Sequence, residues 1–227
     1  MVVTNIAFIP ARGGSKRLPR KNILPFLGKP IIGHTVLAAL QTQLFDRVVV
    51  STEDTEIAAV VSQWDVEVDQ RSHALAGDSV SVVEVCLDFL DRTYKNRLPD
   101  TMVVLYATAP LRRAEDIQSV MNLLDEDCHF AMAVSVCHWP VHQVLKNHGD
   151  HVVPVFPELI HSKRSQWDRY YLDNGSTYAV HVDAFQREKT FYGHRLKIHE
   201  MPRARSIDID TVEDFEWARY QAERMLL

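Results

Sequence analysis

The most distinctive chemistry in the sequence lies in segment 9–22, which reads Ile-Pro-Ala-Arg-Gly-Gly-Ser-Lys-Arg-Leu-Pro-Arg-Lys-Asn. Two of the chain's eight glycines, Gly13 and Gly14, are adjacent here. Positive φ angles and missing Cβ atoms would let their backbone N–H groups close around an anion. Arg12 and Lys21 can add positive charge beside that anion. The segment contains neither GxxxxGK[ST] nor GxGxxG, so it is not a Walker loop or a dinucleotide-binding turn.

Composition alone fits a solvated basic loop equally well, but the position of this segment favours ligand binding. It follows the first predicted strand, and ligands of open α/β sheets bind at the carboxyl ends of strands.

A second candidate site is the pair Asp208 and Asp210 in the sequence Ser-Ile-Asp-Ile-Asp. We predict a strand over 205–210, in which both carboxylates share one face while Ile207 and Ile209 pack behind. Paired carboxylates suit Mg²⁺, which keeps several waters and is usually shared with substrate phosphates. The alternative is that Asp210 only caps the following helix.

The elements that must position these residues alternate between strands and helices. The predicted strands cover 2–10, 47–52, 66–69, 101–106, 130–136, 177–182, 196–199 and 205–210. The predicted helices cover 30–45, 54–64, 79–94, 114–124 and 211–226. This alternation predicts an α/β fold, a three-layer αβα sandwich whose mainly parallel sheet is covered by helices on both faces.

The alternation stops over 138–174, where prolines and polar residues replace the apolar pattern. We therefore predict a single domain, 1–227, with a projecting insertion at 138–174. His138 and His142 are four residues apart, but Pro140 argues against the helix that would align them as zinc ligands.

The net charge of −5 conceals an uneven distribution, because the first 45 residues contain six basic residues and no acidic ones. A basic start on an acidic body indicates a local anion site rather than a nucleic-acid-binding protein, which is usually basic overall. The content of 46% hydrophobic residues excludes a disordered tail.

The three cysteines lack CxxC spacing, as expected of a reduced cytoplasmic enzyme. No apolar run approaches the roughly 20 residues that span a bilayer, and no basic region precedes the first apolar stretch. We therefore expect no membrane association and no signal peptide.

The motifs together resemble the CMP-sialic acid synthetases, or acylneuraminate cytidylyltransferases. The opening motif over 6–22, followed by Phe-Leu-Gly-Lys-Pro at 26–30, is highly specific for that family. Segments 51–54, 108–112, 173–178 and 206–210 follow in the family's order, so the resemblance covers essentially the whole chain. It implies a Rossmann-like nucleotidyltransferase fold that requires CTP and Mg²⁺. It also implies transfer of CMP to the anomeric hydroxyl of a nine-carbon acidic sugar, a nonulosonic acid, with release of pyrophosphate.

The resemblance also assigns roles to individual positions. Arg12, Ser15 and Lys21 match triphosphate-binding residues, Asn22 matches a nucleotide contact, and Asp208 and Asp210 match the metal carboxylates. Arg71 matches a contact on the CTP side, Ser79 or Ser81 a contact on the sugar side, and Arg164 an arginine that faces the sugar's carboxylate. The insertion resembles the family's dimerisation arm, which implies a homodimer.

The small edge of cytosine can be read by main-chain groups, so we expect the backbone over 10–12, including Ala11, to contact it together with Asn22. Gly13 and Gly14 are expected to bind the phosphates. Tyr106, Gln166 and Tyr178 are candidates for the sugar pocket. For both tyrosines the alternative is a buried structural position.

Two departures leave the sugar open among N-acetylneuraminate, pseudaminate and legionaminate. The sequence Tyr-Ala-Thr-Ala-Pro at 106–110 replaces the Gln-Pro-Thr-Ser-Pro of the acetylneuraminate enzymes, and Arg164 is separated from Gln166 by a serine. Both features resemble the pseudaminic acid cytidylyltransferases, which act on 5,7-diamino relatives of sialic acid. The sequence at 174–178 instead resembles the sialic acid branch.

Two other functions compete with this interpretation. A cytidylyltransferase for another sugar or sugar phosphate, such as the Kdo or methylerythritol phosphate enzymes, resembles the chain in fold but lacks the ending Lys21-Asn22. A non-catalytic nucleotide-binding protein would not need both Asp208 and Asp210.

Overall fold

The computed structural model describes residues 4–161 and 169–225. Its strands are β1 Asn5–Pro10, β2 Pro25–Phe26, β3 Lys29–Pro30, β4 Arg47–Thr52, β5 Glu67–Gln70, β6 Thr101–Leu105, β7 Phe130–Val136, β8 Leu145–His148, β9 His151–Pro154, β10 Tyr171–His181 and β11 Lys197–Glu200. Its helices are α1 Ile31–Thr42, α2 Thr55–Val61, α3 Val82–Thr93, α4 Ala114–Met121, α5 Val182–Glu188 and α6 Val212–Met225.

The described part of the chain forms one main sheet with the strand order β11-β7-β10-β6-β1-β4-β5. Strand β10 is antiparallel to both of its neighbours, and the other neighbouring pairs are parallel. The predicted α/β fold with a mainly parallel sheet is therefore confirmed.

Alternation along β1 divides the core between the two faces of the sheet. Ala7 and Ile9 pack in a cluster that includes residues of α1, α2 and α4. Ile6 and Phe8 point to the opposite face, where Phe89 of α3 and other side chains from α3 and α5 cover them. Both faces of the sheet are thus buried under helices, as expected for parallel strands that read as continuous apolar runs.

The prediction of a strand over 205–210 is wrong. Arg205 ends a short 3-10 turn, and the residues after it join no sheet: Ile209 N–H donates to the Thr108 carbonyl at 2.8 Å, and Asp210 N–H donates to Asp214 Oδ2 at 3.0 Å. Ile207 and Ile209 are nevertheless buried, in a third cluster with residues of α6 and of the opening loop. Ile207 and Ile209 therefore face the core while Asp208 and Asp210 face the cavity, although this segment pairs with no strand.

The parallel strands β1, β4 and β6 all end at the same edge of the sheet. The loop after β1, the residues after β4 and the residues after β6 meet at this edge. Strand β10 runs in the opposite direction, so its beginning lies near it. The register of β10 against β7 shifts between Asp173 and Tyr178, around Gly175 with φ +61°.

The region of the predicted insertion contains the two-stranded sheet β8-β9, which is separate from the main sheet. Its predicted last residues, 171–174, already belong to β10 of the main sheet. Helix α5 was not anticipated from the sequence, because its seven residues are too few to show a clear period. None of the described helices has the length and apolar character needed to cross a membrane.

Candidate functional site

A cavity of about 340 Å³ opens at the edge of the sheet where β1 and β6 end. Its wall brings together predicted residues that are far apart in the sequence. These lining residues are Arg12, Ser15, Lys21, Asn22, Arg71, Tyr106, Asp208 and Asp210.

The loop after β1 is shaped by close contact with the end of β4. Gly13 N–H donates to Glu53 Oε1 at 2.8 Å, and a Cβ atom on Gly13 would lie 2.1 Å from Asp54 Oδ2. A side chain at position 13 is therefore excluded. The prediction of positive φ angles at Gly13 and Gly14 is wrong, because neither residue is among those with positive φ. Arg20, at φ 56°, supplies the left-handed turn in this loop.

Arg20 and Asp54 fix the far side of the same loop. The guanidinium donates to the two carboxylate oxygens of Asp54 at 2.5 and 2.9 Å and also contacts Glu56. The hydrogen bond from Arg20 is the main cause that lowers the pKa of Asp54 to about 2, despite partial burial. The Asp54 carboxylate also caps α2, because it accepts hydrogen bonds from Glu56 and Ile57 N–H. The same carboxylate therefore binds both the opening loop and the start of α2.

Arg71 enters the cavity wall as half of a buried ion pair. It donates to Glu53 Oε2 at 2.9 Å and to the Ser51 carbonyl at 3.2 Å. The side chain of Arg71 is 3% exposed and that of Glu53 is 6% exposed. Glu53 therefore links Arg71 through its carboxylate to Gly13 in the opening loop.

The cations of the opening loop are paired with two carboxylates across the cavity. Lys21 Nζ lies 2.5 Å from Asp210 Oδ1, and Arg17 contacts the other oxygen. On the other side, Asp78 lies 2.9 Å from Arg12 and 2.5 Å from Lys16. The opening loop thus contributes four basic side chains to the cavity, arranged around space that can accept a polyanion.

Asp208 and Asp210 occupy different electrostatic environments. Burial raises the pKa of Asp208, and the neighbouring charge of Asp210 adds to this although Thr108 donates a hydrogen bond. Burial also acts to raise the pKa of Asp210, but Lys21 and Arg17 outweigh it, so the net shift is downward. A bound cation would therefore stabilise the charged form of Asp208 more than that of Asp210, which already has two cationic partners.

The alternative role for Asp210, that of a helix cap, does not hold. Thr211 Oγ1 accepts from Asp214 N–H at 3.2 Å, and the Asp214 carboxylate accepts from Thr211 N–H at 2.8 Å. These two residues cap α6 reciprocally. The Asp210 carboxylate is directed instead at Lys21 and Arg17.

A buried anchor holds the chain just before the aspartate pair. Arg205 donates two hydrogen bonds to Asp116, which also accepts from Arg113 N–H at the start of α4. His199 Nε2 lies 3.2 Å from the same carboxylate. With Ile207 and Ile209 packed in the core, this anchor fixes the position of Asp208 and Asp210.

A second cavity, of about 480 Å³, adjoins the first and shares Tyr106 and Asp208 with it. Tyr178 lines it together with Asp173, Asn174 and Gly175 from the irregular start of β10. Gly175 is required here, since a Cβ atom would lie 2.8 Å from Asp208 Oδ2. The two predicted sugar-pocket tyrosines are therefore in contact with one cavity next to the aspartate pair.

Several predicted residues lie elsewhere. Ala11 is buried and donates its N–H to the Ser51 carbonyl, and Gly13, Gly14 and Ser79 are not among the residues that line either cavity. Ser81 caps α3 in a reciprocal pair with Glu84. Arg164 and Gln166 lie outside the described residues.

Sequence reasoning missed the roles of Glu53, Asp78 and Asp173. Each is an acidic residue in a chain with 30 of them, and no spacing rule distinguishes it from a surface carboxylate. Glu53 and Asp173 lie in segments 51–54 and 173–178, which resemble motifs of the family, but no role was predicted for either residue.

The aspartate pair fits a magnesium site in its donor chemistry. Two carboxylates line one cavity beside cations suited to phosphate, and Mg²⁺ commonly takes one or two protein carboxylates with water and phosphate oxygens. Among residues 4–161 and 169–225, no group of three or more His, Cys, Asp or Glu side chains is arranged to hold a metal ion. Zinc or calcium, which take more protein ligands, would fit this donor set less well.

Comparison with known proteins places this geometry in context. A family model described as cytidylyltransferase matches residues 6–226. The chain is 33% identical over 221 residues to the pseudaminic acid cytidylyltransferase of Campylobacter jejuni serotype O:2, covering 95% of this chain and 94% of that protein. It is 33% identical over 220 residues to the CMP-N,N'-diacetyllegionaminic acid synthase of Legionella pneumophila, covering 94% and 93%.

The fold is also similar to a solved structure of CMP:2-keto-3-deoxy-manno-octonic acid synthetase in complex with CTP. The TM-score is 0.70 and the sequences are 18% identical, with coverage of 98% of this chain and 99% of that one. At this identity the likeness concerns the fold alone.

Proposed function

The chain belongs to the cytidylyltransferase family, and we propose that it activates a nonulosonic acid by transferring CMP from CTP to the sugar's anomeric hydroxyl, with release of pyrophosphate. The observation that carries this proposal is the single cavity in which the basic loop and the aspartate pair meet. Similarity to enzymes named for pseudaminic acid and diacetyllegionaminic acid supports the sugar class. The protein is accordingly a nucleotidyltransferase.

The basic side chains of the loop bind the triphosphate and neutralise the leaving group. In the reaction, the anomeric oxygen forms a bond to the α-phosphorus while the bond to pyrophosphate breaks, and the hydroxyl proton is released. Negative charge accumulates on pyrophosphate, and fixed cations such as Arg12 and Lys21 stabilise it. Glu53 and Asp54 hold the loop in place, so only the ion pairs of its basic side chains must rearrange when the nucleotide binds.

The two cavities hold the two substrates next to each other. They share Tyr106 and Asp208, so an anomeric hydroxyl at their junction lies beside the aspartate pair. Holding both reactants in this way replaces an encounter in solution by a step within the complex. Asn22 donates to the Arg12 carbonyl and lines the first cavity, which suits a contact with the nucleotide.

Asp208 and Asp210 would hold Mg²⁺. When bound, this ion supplies charge neutralisation and orientation at the phosphates. Thr108 and the close packing of Gly175 restrain Asp208 for this role.

A product assay with CTP, Mg²⁺ and one sugar at a time, N-acetylneuraminate, pseudaminate or legionaminate, tests the proposed function. We expect a CMP-sugar and one equivalent of pyrophosphate from at least one of them. Absence of product with all three, from protein that is folded and binds CTP, would contradict it.

The carboxylate of Asp78 must leave the loop when the triphosphate binds. It pairs with Arg12 and Lys16, so it competes with phosphate for the same cations. We expect Asp78→Asn to lower the dissociation constant of CTP about two- to fivefold, the range of an exposed ion pair. Isothermal titration calorimetry measures this constant.

The matched control for that measurement is Asp88→Asn, which removes a partly exposed carboxylate paired with Arg92 on α3. Its affinity for CTP should equal that of the wild type. Unchanged or weaker binding by Asp78→Asn would show that Asp78 does not compete with phosphate.

The proposal includes a homodimer. The region of β8 and β9 exposes large apolar side chains, with Trp139 71% exposed, Val152 60% and Leu145 57%. Several exposed large apolar groups within one region are typical of surfaces that bind another protein. Sedimentation equilibrium should give twice the 26.0 kDa of one chain.

The proposal also includes a cytoplasmic location, which the three free cysteines and the need for CTP favour.

A further inference from the structure

We propose that Arg112 is a positioning residue for the transfer step, because it holds together the two chain segments that form the junction of the two cavities. The inference rests on the proposed function and adds to it a residue that lines neither of these cavities. Arg112 acts through Tyr106, which lines both cavities, and through the turn at Gly175, which lies against Asp208.

The guanidinium of Arg112 joins the residue after β6 to the irregular part of β10 and to α1. Its Nη1 donates to the Ser176 carbonyl. Its Nη2 donates to the Tyr106 carbonyl at 3.2 Å and to Thr35 Oγ1 at 2.7 Å. The Ser176 carbonyl also accepts from Tyr106 N–H at 3.1 Å. The rigid fork of arginine reaches these acceptors at once, so it fixes Tyr106 relative to Ser176.

Burial of the charge on Arg112 costs stability. The residue is 3% exposed, and all of its described hydrogen bonds go to uncharged oxygens. Burial lowers the pKa of Arg112 to about 9, so the guanidinium stays charged at neutral pH. An apolar side chain of similar size at a buried charged position is often no less stable. The arginine is therefore accounted for by the geometry that it holds rather than by a gain in folding free energy.

This geometry bears on the alignment of the two substrates more than on the binding of CTP. The cations that bind the triphosphate lie on the opening loop, to which Arg112 makes no described hydrogen bond. Asn174 and Gly175 belong to the wall of the second cavity, and Arg112 holds the next residue, Ser176, to Tyr106. A displacement of about 1 Å between reacting groups can cost on the order of 100-fold in rate.

The test is Arg112→Met, assayed for kcat and KM with CTP and with each of the three sugars. Methionine removes the charge and the fork, but both carbonyls keep a donor: Ser176 accepts from Tyr106 N–H, and Tyr106 from Thr35 Oγ1 at 3.4 Å. The variant should therefore fold. We expect kcat to fall roughly 10- to 100-fold. The KM for CTP should stay within about twofold, because binding that is equal in the ground and transition states is unchanged.

Thr35→Val is the second variant, and it decides the question if Arg112→Met does not fold. It removes one acceptor of the guanidinium, and Thr35 lines neither cavity. We expect kcat to fall about 3- to 10-fold, with the same small change in the KM for CTP. Thr42→Val is the matched control, since Thr42 is also a buried threonine of α1 but donates to the Ala39 carbonyl. It should keep the kcat of the wild type.

Hydrogen exchange reports on the same junction without substrates. In Arg112→Met and Thr35→Val, backbone amides over 104–107 and 174–178 should exchange about tenfold faster than in the wild type, and Thr42→Val should leave them unchanged. Wild-type kcat and exchange in the first two variants would overturn the inference. So would a KM for CTP that rises as much as kcat falls, or equal losses of kcat in Thr35→Val and Thr42→Val. A wild type inactive with all three sugars would contradict the proposed function, and exchange would then decide whether Arg112 holds the junction.

Discussion

Replacing Asp210 with asparagine is expected to lower the turnover number by about 10³-fold or more. Asparagine keeps the size of the side chain and one acceptor oxygen, but it loses the charge that would hold Mg²⁺ and that pairs with Lys21 at 2.5 Å. The folded state should be affected little, because Asp210 is partly exposed and pairs with the exposed Arg17. Pyrophosphate release measures the rate, and thermal unfolding measures the stability.

Dependence on Mg²⁺ separates a metal ligand from a residue that acts only through its charge. If Asp210 binds the ion, the Asn variant should need a higher Mg²⁺ concentration for half-maximal rate. If it only orients Lys21, the concentration should be unchanged and the maximal rate alone should fall. Asp125→Asn is the matched control, since Asp125 is an exposed carboxylate 2.5 Å from Lys197 and lines neither cavity.

The aspartate pair lines one cavity as the sequence pattern predicted, although the structural argument for it was incorrect. A spacing of two places side chains on one face in any extended chain, so Asp208 and Asp210 share a face without a strand. The buried Ile207 and Ile209 set that alternation, and both were evident in the sequence. The anchor that holds this segment, Arg205 with Asp116, joins positions 89 residues apart and leaves no local pattern.

The opening loop was located correctly, but the forces that shape it were not. Its residue types and its place after β1 are local properties, and the sequence contains them. The need for glycine at position 13 comes from Asp54, which reaches the loop only because β4 lies next to β1. Likewise the irregular register of β10 brings Asp173 to Tyr178 and Tyr192. Sheet order and register are not readable from one sequence.

The buried ion pair between Glu53 and Arg71 also depends on the order of strands in the sheet. We expect Glu53→Ala to destabilise the protein by about 3 to 5 kcal/mol. The substitution leaves the guanidinium of Arg71 buried without a counter-charge and removes the acceptor of Gly13 N–H. For a chain of this size the melting temperature should fall by roughly 6 to 20 °C. Affinity for CTP should fall as well, because the opening loop loses its contact with β4.

Glu67→Ala provides a matched comparison for this prediction. Glu67 also pairs with an arginine on a neighbouring strand, Arg47, but its side chain is 52% exposed. Loss of this pair should cost at most about 1 kcal/mol. The double variant Glu53→Ala with Arg71→Met should recover part of the stability, since no unpaired charge is then buried. Equal unfolding midpoints for the Glu53 and Glu67 variants in urea would show that burial does not determine the strength of these pairs. A midpoint lower only in the Glu53 variant, and partly restored by Arg71→Met, would assign the loop's stability to the buried charge pair.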